Sequence, residues 1–543
     1  KKIILFFKYN MGIPFYFSYL IQNHKNIVNK LENIKNIDNL FLDSNSIIYD
    51  SINFNNYINK EQFENYIIEK VINKIEIIIN LINPQKNVFI AFDGVPPLAK
   101  LNQQKNRRYK SNYQATLFNK NTPWDTCSIT PGTNFMEKLD SAIYNHFKNK
   151  YTNLNLIVSG TNIPGEGEHK IFNYLRNNQN NQNNQNNTII YGMDADLIML
   201  CLNHLRLCKN IYLYRETPHF IKSLNSNLDK DQQYLIHINE LANEIYKTIT
   251  NNEPPEIDEL SNNKKNNYYD KIGDYIFICF LLGNDFMPHF PCLNIRLTGF
   301  TILLDLYKQL FNNNNFISIN NKINYKNLKL YIKKLAENEV NFIKEIYNIR
   351  EKRCKKYYPE NNEEEIERKF NETPSWERNI EKFINPLENH WEFRYYYSLF
   401  NTNIDKNKEF ISKLSFNYIQ TLLWTYNYYN SDCTNWTHTY NYSYPPLLID
   451  LYKAIPYFES EINLEKNQFI IHPQLLLAYV LPKKSLNLLN PNIHKYLLKN
   501  YKEYYEENYE FHYAFCKYFW EAHVNFPTLD FQTFAKNINN IIS

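Results

Sequence analysis

Glycine is scarce in this chain: ten in 543 residues, and none after Gly299. A sequence this poor in glycine should keep it where the backbone needs a positive φ or approaches another group closely. Most of the ten fall in the motifs discussed below. The glycine-free remainder reads as long helices joined by loops. We therefore expect an α/β region to about residue 300, followed by a mainly α-helical region.

The eight cysteines form no Cys-x-x-Cys pair and no disulfide-like spacing, which reads as reduced thiols in an intracellular protein. No apolar run reaches membrane length. The first ten residues carry two lysines and a five-residue apolar run, too short for a signal peptide or a span. We expect a soluble protein, with Met11 as the physiological start and residues 1–10 as an N-terminal extension. The net charge of +4 is too small to announce a nucleic-acid binder by itself. If the acids gather in a metal site, however, the remaining surface is more basic than the total implies.

Tyrosine, asparagine, isoleucine and lysine are abundant; there are 45 tyrosines and aromatics make up 16%. All four residue types have A/T-rich codons, so the bias reads as genomic, suiting a protist or a large DNA virus. Residues 177–187, nearly pure Asn and Gln, read as a disordered insertion, as does the Asn run 312–315. Glu363–Glu365 reads as a solvated helix face.

Four short apolar runs, Asn39–Leu42, Asn87–Phe92, Asn155–Val158 and Thr188–Tyr191, read as buried strands separated by helical patterns. That alternation predicts crossover units on a mostly parallel central sheet flanked by helices. Ligands bind beyond the carboxyl ends of such strands. Asp43, Asp93 and Asp194 lie there, and Glu166 and Glu168 follow the third strand after a loop.

Two stretches are the most telling. Pro164-Gly165-Glu166-Gly167-Glu168-His169-Lys170 and Gly192-Met193-Asp194-Ala195-Asp196-Leu197 each place two carboxylates one residue apart beside glycine. Crowded like charges raise one another's pKa and make poor packing. With divalent cations between them they make a site, because Mg²⁺ takes oxygen ligands and keeps waters for phosphate chemistry. Asp285, in Gly283-Asn284-Asp285-Phe286, completes a set of seven: Asp43, Asp93, Glu166, Glu168, Asp194, Asp196 and Asp285. A cap or a surface charge explains any one of them; it does not explain seven in this order. Two ions (Mg²⁺, with Mn²⁺ as a substitute) can serve an in-line displacement at phosphorus.

Between Lys100 and Lys110 there are five basic residues and no acid. Lys100, Gln104, Arg107 and Arg108 fall at i, i+4, i+7 and i+8, one helical arc of roughly 100°. Two guanidiniums, an ammonium and an amide suit a terminal phosphate dianion.

With these residues assembled, the chain resembles the Xrn/Rat family of 5′→3′ exoribonucleases. The matching stretches run in order: Met11-Gly12-Ile13-Pro14, Asn39 to Asn45, Asp93-Gly94-Val95-Pro96-Pro97 through Arg108, Ile129 to Thr133, the two paired-acid stretches, and Gly283 to His289. Ser375-Trp376-Glu377-Arg378, Leu476 to Pro482 and Trp520-Glu521-Ala522 match a second, looser region. The resemblance implies a PIN/flap-nuclease-like core with two metal ions on the seven acids. It further implies a pocket of Lys100, Gln104, Arg107 and Arg108 for the 5′-monophosphate of single-stranded RNA, and stepwise release of 5′-mononucleotides.

Two positions depart from the family pattern. Tyr49 stands where the family usually has a histidine that stacks on the terminal base; the implied partner ring is Trp436. His438 replaces a second tryptophan nearby. His169 and Lys170 are expected beside the acids, His169 orienting one of them and Lys170 reaching a phosphate or supporting the site. We also expect a compact member that lacks the long C-terminal extension of the large cytoplasmic members. We divide it into a nuclease domain at 11–300, a charged helical insertion at 301–375 and a helical second region at 376–543. A monomer in the cytoplasm or nucleus, or of viral origin, is expected, with no membrane partner. The rival readings are a flap-specific 5′ DNA nuclease, disfavoured by the lack of a Gly-x-Gly turn after Asp285, and an inactive RNA-binding scaffold, disfavoured by seven retained acids.

Overall fold

The structure, a computed structural model, describes residues 16–178, 186–216, 228–229, 231–256, 262–311, 315–458, 462, 464–506 and 509–542. The Met11-Gly12-Ile13-Pro14 motif, the extension at 1–10, most of the Asn/Gln tract and Asn312–Asn314 lie outside them. Seven strands form the central sheet: β1 (Val28–Lys30), β2 (Asn39–Asp43), β3 (Asn87–Ala91), β4 (Asn155–Ser159), β5 (Asn187–Tyr191), β6 (Asn210–Tyr214) and β7 (Tyr234–His237). Their spatial order is β1-β7-β6-β5-β2-β3-β4. From β4 across to β6 the neighbours are parallel, and β7 and β1 close one edge antiparallel. The chain reverses its direction across the sheet between β2 and β5, the switch point where ligands bind in such folds.

The sheet's two edges have opposite chemistry. At the amino ends, Asn155 donates to Asn87 (2.9 Å), Asn87 to Asn39 (2.7 Å) and Asn39 to the Thr188 hydroxyl (3.0 Å). Asn210 donates to Asn187 (2.8 Å). This amide ladder aligns the strand starts. Because β2, β3 and β5 are five residues each, it also brings their carboxyl ends level. The acids gather at those ends.

The helices used below are α1 (Asn45–Asp50), α2 (Lys60–Ile82), α3 (Leu98–Leu117), α4 (Asn134–Phe147), α5 (Gly167–Asn177), α6 (Asp196–Asn203), α7 (Asn262–Cys279), α8 (Tyr325–Cys354), α9 (Lys408–Asn430), α10 (Pro473–Val480) and α11 (Phe531–Ile542). Strand alternation splits the core. Leu40, Leu42, Val88 and Ile90 face α2 and α4, whose Ile67, Val71, Ile75, Leu139 and Ile143 are buried there. Phe41, Phe89 and Ile190 face the other way, toward α5, α6, α7 and α9. At roughly 1.5–3 kcal/mol per fully buried large apolar side chain, these two layers supply most of the sheet's support.

The helical region is continuous with that second layer. Helix α8 contributes Leu328, Ile332 and Leu335 to the same core, and α9 contributes Tyr418, Leu422 and Trp424. Helix α3 packs Leu98 and Leu101 against Leu475–Leu477 of α10 and Phe534 of α11. It is thus held between the central sheet and the segment 473–542, with Tyr479 donating to Asn102 (2.5 Å) and Tyr109 to the Leu481 carbonyl (3.2 Å). No helix among the described residues is long and apolar enough to cross a membrane. The eight cysteines are free thiols.

Candidate active site

Asp43 closes β2, Asp93 lies just beyond β3, and Asp194 and Asp196 lie in the turn from β5 into α6. Glu166 is the N-cap of α5, and Glu168 lies in its first turn, where the helix dipole favours negative charge. Gly167 between them has a steric reason: a Cβ there would lie 2.6 Å from Asp43 Oδ1, and its N–H donates to Asp93 Oδ1 at 2.7 Å. Asp285 reaches the cluster from the turn after α7, in which Gly283 takes φ +84°. There the Asn284 side chain accepts from the Phe286 and Met287 N–H groups at 2.9 and 3.2 Å.

Carboxylate oxygens of Asp43, Glu168 and Asp194 all lie within 4.8 Å of one another, as do ligand atoms of Glu166, Glu168 and His169. Glu168 belongs to both groups. Asp43, Glu166, Glu168 and Asp196 are buried and Asp93, Asp194 and Asp285 half-buried, and the electrostatics follow. Burial, reinforced by Asp93, Asp194, Asp196 and Glu166, drives the Asp43 carboxyl well above its ordinary range. Glu168 and Asp196 are driven up in the same way, chiefly by burial. Burial lifts Asp194 to about 6, with Lys100 opposing and Asp285 adding. Glu168 Oε2 and Asp196 Oδ1 are buried acceptors with no donor. Acceptors in that position call for a cation, and an all-oxygen set fits a hard one such as Mg²⁺.

Each remaining predicted residue has a definite place. Lys100 lies among the acids: its ammonium is 2.5 Å from Glu166 Oε2 and 2.8 Å from Asp285 Oδ2. Gln104 and Arg108 lie farther round α3. Arg108 donates to Thr130 Oγ1 at 2.8 Å, while its Nη1 and the Gln104 Oε1 are buried without partners. Tyr49, half-buried at the end of α1, adjoins them: burial raises its phenol pKa, and Arg107 and Arg108 pull it back. Trp436 is half-buried; its carbonyl accepts from the Leu98 N–H at 2.8 Å, which sets its loop on the start of α3. Lys170 gives its ammonium to the Phe92 and Gly160 carbonyls, each at 2.8 Å, tying the ends of β3 and β4. His169 stacks on Tyr428, centroids 3.7 Å apart. His438 stacks on Trp424.

Two contributors were not singled out as site residues from the sequence, although Asn45 lies within the Asn39–Asn45 stretch. Asn45 holds Asp93 by a side-chain bond and accepts the Asp93 N–H (3.1 Å). Tyr428 donates to Glu166 Oε1 at 2.9 Å. Beside the site, a cavity of about 530 Å³ follows the adjoining face of α3, lined by Gln103, Asn106, Arg107 and Lys110, with Asp285 and Trp520 opposite.

An acid-lined switch point on a parallel sheet, flanked by a basic helix, is an arrangement that could hold hard cations beside a phosphate group. The comparisons give the class. Residues 11–217 match the XRN 5′-3′ exonuclease N-terminus, and residues 265–385 and 377–542 match the Xrn1 helical domain. The chain belongs to the XRN family of 5′-3′ exonucleases.

Among its relatives is 5′-3′ exoribonuclease 1 of Saccharomyces cerevisiae, 32% identical over 62% of this chain and 23% of that protein. The 5′-3′ exoribonuclease 2 of Candida glabrata is 30% identical over 58% of this chain and 35% of that protein. The human 5′-3′ exoribonuclease 1 is 27% identical over 96% of this chain and 33% of that protein. The chain thus spans about a third or less of the length of these relatives.

Proposed function

We propose that this chain is a processive 5′→3′ exoribonuclease that removes 5′-mononucleotides from single-stranded RNA bearing a 5′-monophosphate. The observation that carries the reading is the convergence of seven carboxylates beside a basic helix, in a chain of the XRN family. Asp43, Asp93, Glu166, Glu168, Asp194, Asp196 and Asp285 would hold two Mg²⁺ ions, with Mn²⁺ able to substitute. When bound, such a pair supplies an activated water and neutralises the leaving oxygen.

The chain's own residues do the rest. Gln104, Arg107 and Arg108 take the terminal phosphate dianion, whose extra charge distinguishes it from a hydroxyl end. On this reading a capped or triphosphorylated end is not a substrate. Lys100, paired with Glu166 and Asp285, would join the phosphate pocket to the acids, its ammonium able to turn to phosphate where those two carboxylates are otherwise neutralised. Tyr49 and Trp436 bracket the terminal base. His169 and Lys170 hold the acid-bearing backbone in place. RNA leads away between the nuclease domain (11–300) and the helical second region (376–543), with 301–375 as the helical insertion between them. A monomer acting inside a cell, in cytoplasm or nucleus or during viral infection, suits this reading.

The test is Mg²⁺-dependent digestion of one RNA carrying a 5′-monophosphate, 5′-hydroxyl or 5′-triphosphate, beside a flap DNA. Rapid conversion of only the monophosphorylated RNA to mononucleotides is expected. Preferential cutting of the flap, or RNA binding without cutting, overturns the reading.

A further inference from the structure

Tyr428 lies near the end of α9, 262 residues beyond the acid it touches. Its hydroxyl donates to Glu166 Oε1 at 2.9 Å, while Glu166 Oε2 pairs with Lys100 at 2.5 Å. Both oxygens of this carboxylate are therefore held, one from the nuclease domain and one from the helical region. The phenol ring is itself fixed on three sides. His169 stacks on it at 3.7 Å and 19°, Trp424 at 5.0 Å and 20°, and Phe286 meets it edge-on at 5.8 Å. Trp424 is anchored in turn: its indole N–H donates to the Asn435 carbonyl at 2.9 Å, and His438 stacks on it at 5.7 Å.

A column of four rings, His169, Tyr428, Trp424 and His438, thus runs from the acid cluster to the loop that carries Trp436. A simple packing role would need the ring and not the hydroxyl. The hydroxyl, however, meets the buried carboxylate of Glu166, which stands at the N-cap position of α5 without bonding the helix's N–H groups, and together with Lys100 it leaves that group a single orientation. A carboxylate fixed before the cation arrives loses less rotamer freedom on binding it, and partners of this kind typically set metal affinity by 10- to 100-fold.

We propose that Tyr428 is a positioning residue for Glu166, supplied by the helical region, so that the acid centre is complete only with α9 docked. The inference rests on the acids being a divalent-cation site. A nuclease domain cut off before the helical region would carry all seven acids and still lack one support of its centre.

The experiment is calorimetric titration of Mn²⁺ into the metal-free full chain, with thermal unfolding of each variant alongside. Tyr428→Phe keeps the ring stack and removes only the donor. It should unfold close to the wild-type temperature and bind Mn²⁺ about tenfold or more weakly. In a Glu166→Gln background the same change should have no further effect, since its target is gone. Wild-type affinity in Tyr428→Phe overturns the proposal, and so does an equal loss in the Glu166→Gln background. If Tyr428→Phe unfolds, Trp424→Phe, which leaves the hydroxyl but loosens the stack, must weaken Mn²⁺ binding; unchanged binding again overturns it. A wild-type chain that takes up no Mn²⁺ overturns the metal reading itself, a result distinct from equal affinities in the two proteins.

Discussion

Lys100 and Glu166 form an ion pair of 2.5 Å between side chains that are 5% and 6% exposed, and the same ammonium reaches Asp285 at 2.8 Å. Removing one partner of a buried pair costs roughly 3–5 kcal/mol, because the other charge stays buried and uncompensated. Lys100→Met should therefore lower the unfolding temperature of the EDTA-treated protein by several degrees. Mg²⁺ should recover more of that loss than it adds to the wild type, since a divalent ion can neutralise the same two acids. Scanning calorimetry with EDTA and with Mg²⁺ tests this, and equal unfolding temperatures in EDTA would rule the pair out as a stabilising contact.

The acids also set a pH dependence. Burial raises the Asp194 carboxyl to about 6, and it also drives Asp43, Glu168 and Asp196 well above their ordinary range. An acid whose folded pKa exceeds its unfolded value of about 3.9 binds protons more tightly when folded. In metal-free protein its contribution is favourable at low pH and is lost as pH rises through the folded pKa. Cation binding needs the ionised form and releases protons. The Mg²⁺-induced rise in unfolding temperature should therefore be larger at pH 8 than at pH 5.5, and RNA cleavage should decline below about pH 6. A rise that is independent of pH would place the ions elsewhere.

Much of this site was legible in the sequence for a physical reason. Parallel strands buried on both faces are short apolar runs, and here Asp43, Asp93 and Asp194 follow three of them. The observed strands at 39–43, 87–91, 155–159 and 187–191 differ from the expected ones by one residue at an end. The antiparallel edge strand was not legible: Val28–Lys30 is three residues long and half-exposed, so it has neither apolar run nor alternation. The basic face of α3 could be read from its spacing. That Lys100 turns to Glu166 and Asp285 could not, because Asp285 lies 185 residues further on. Tyr428 is one of 45 tyrosines, and nothing local marks the one that meets Glu166.

Asp194 and Asp196 divide the work at the turn after β5, Asp194 beside Asp43 and Glu168, and Asp196 with an oxygen that meets no donor. Alanine at both should lower RNA cleavage by at least about a thousandfold, on the scale of losing electrostatic stabilisation of the transition state. The fold should persist, and in EDTA the variant should be at least as stable as the parent because two crowded carboxylates are gone. Gel assays and circular dichroism suffice. Cleavage within tenfold of wild type would remove these acids from the mechanism.

Arg108 offers a cleaner separation of binding from chemistry. Its Nη2 is spent on Thr130, but Nη1 is buried without a partner, on a guanidinium that neighbours Tyr49. A charge-assisted bond to phosphate is worth about 1.5–3 kcal/mol, or roughly 10- to 150-fold. Arg108→Met should raise KM for 5′-monophosphorylated RNA by that factor while leaving the slow cleavage of 5′-hydroxyl RNA unchanged. Equal losses on both substrates would assign Arg108 to the fold, through Thr130, and not to the terminal phosphate.

Tyr49 is one of the two positions expected to depart from the family pattern, and its ring sits next to the same two arginines. Base–aromatic stacking is worth about 1–3 kcal/mol and tolerates any base. Tyr49→Ala should weaken binding of RNA with a 5′-monophosphate by roughly 5- to 150-fold, similarly for all four terminal bases, and Tyr49→His should restore most of it. Trp436→Ala should give a loss of the same size, and the double variant should lose little more than either single one, because one base between two rings needs both. Fluorescence anisotropy with a non-cleavable RNA in Ca²⁺ measures all four. Fully additive losses would mean that the two rings act on different nucleotides.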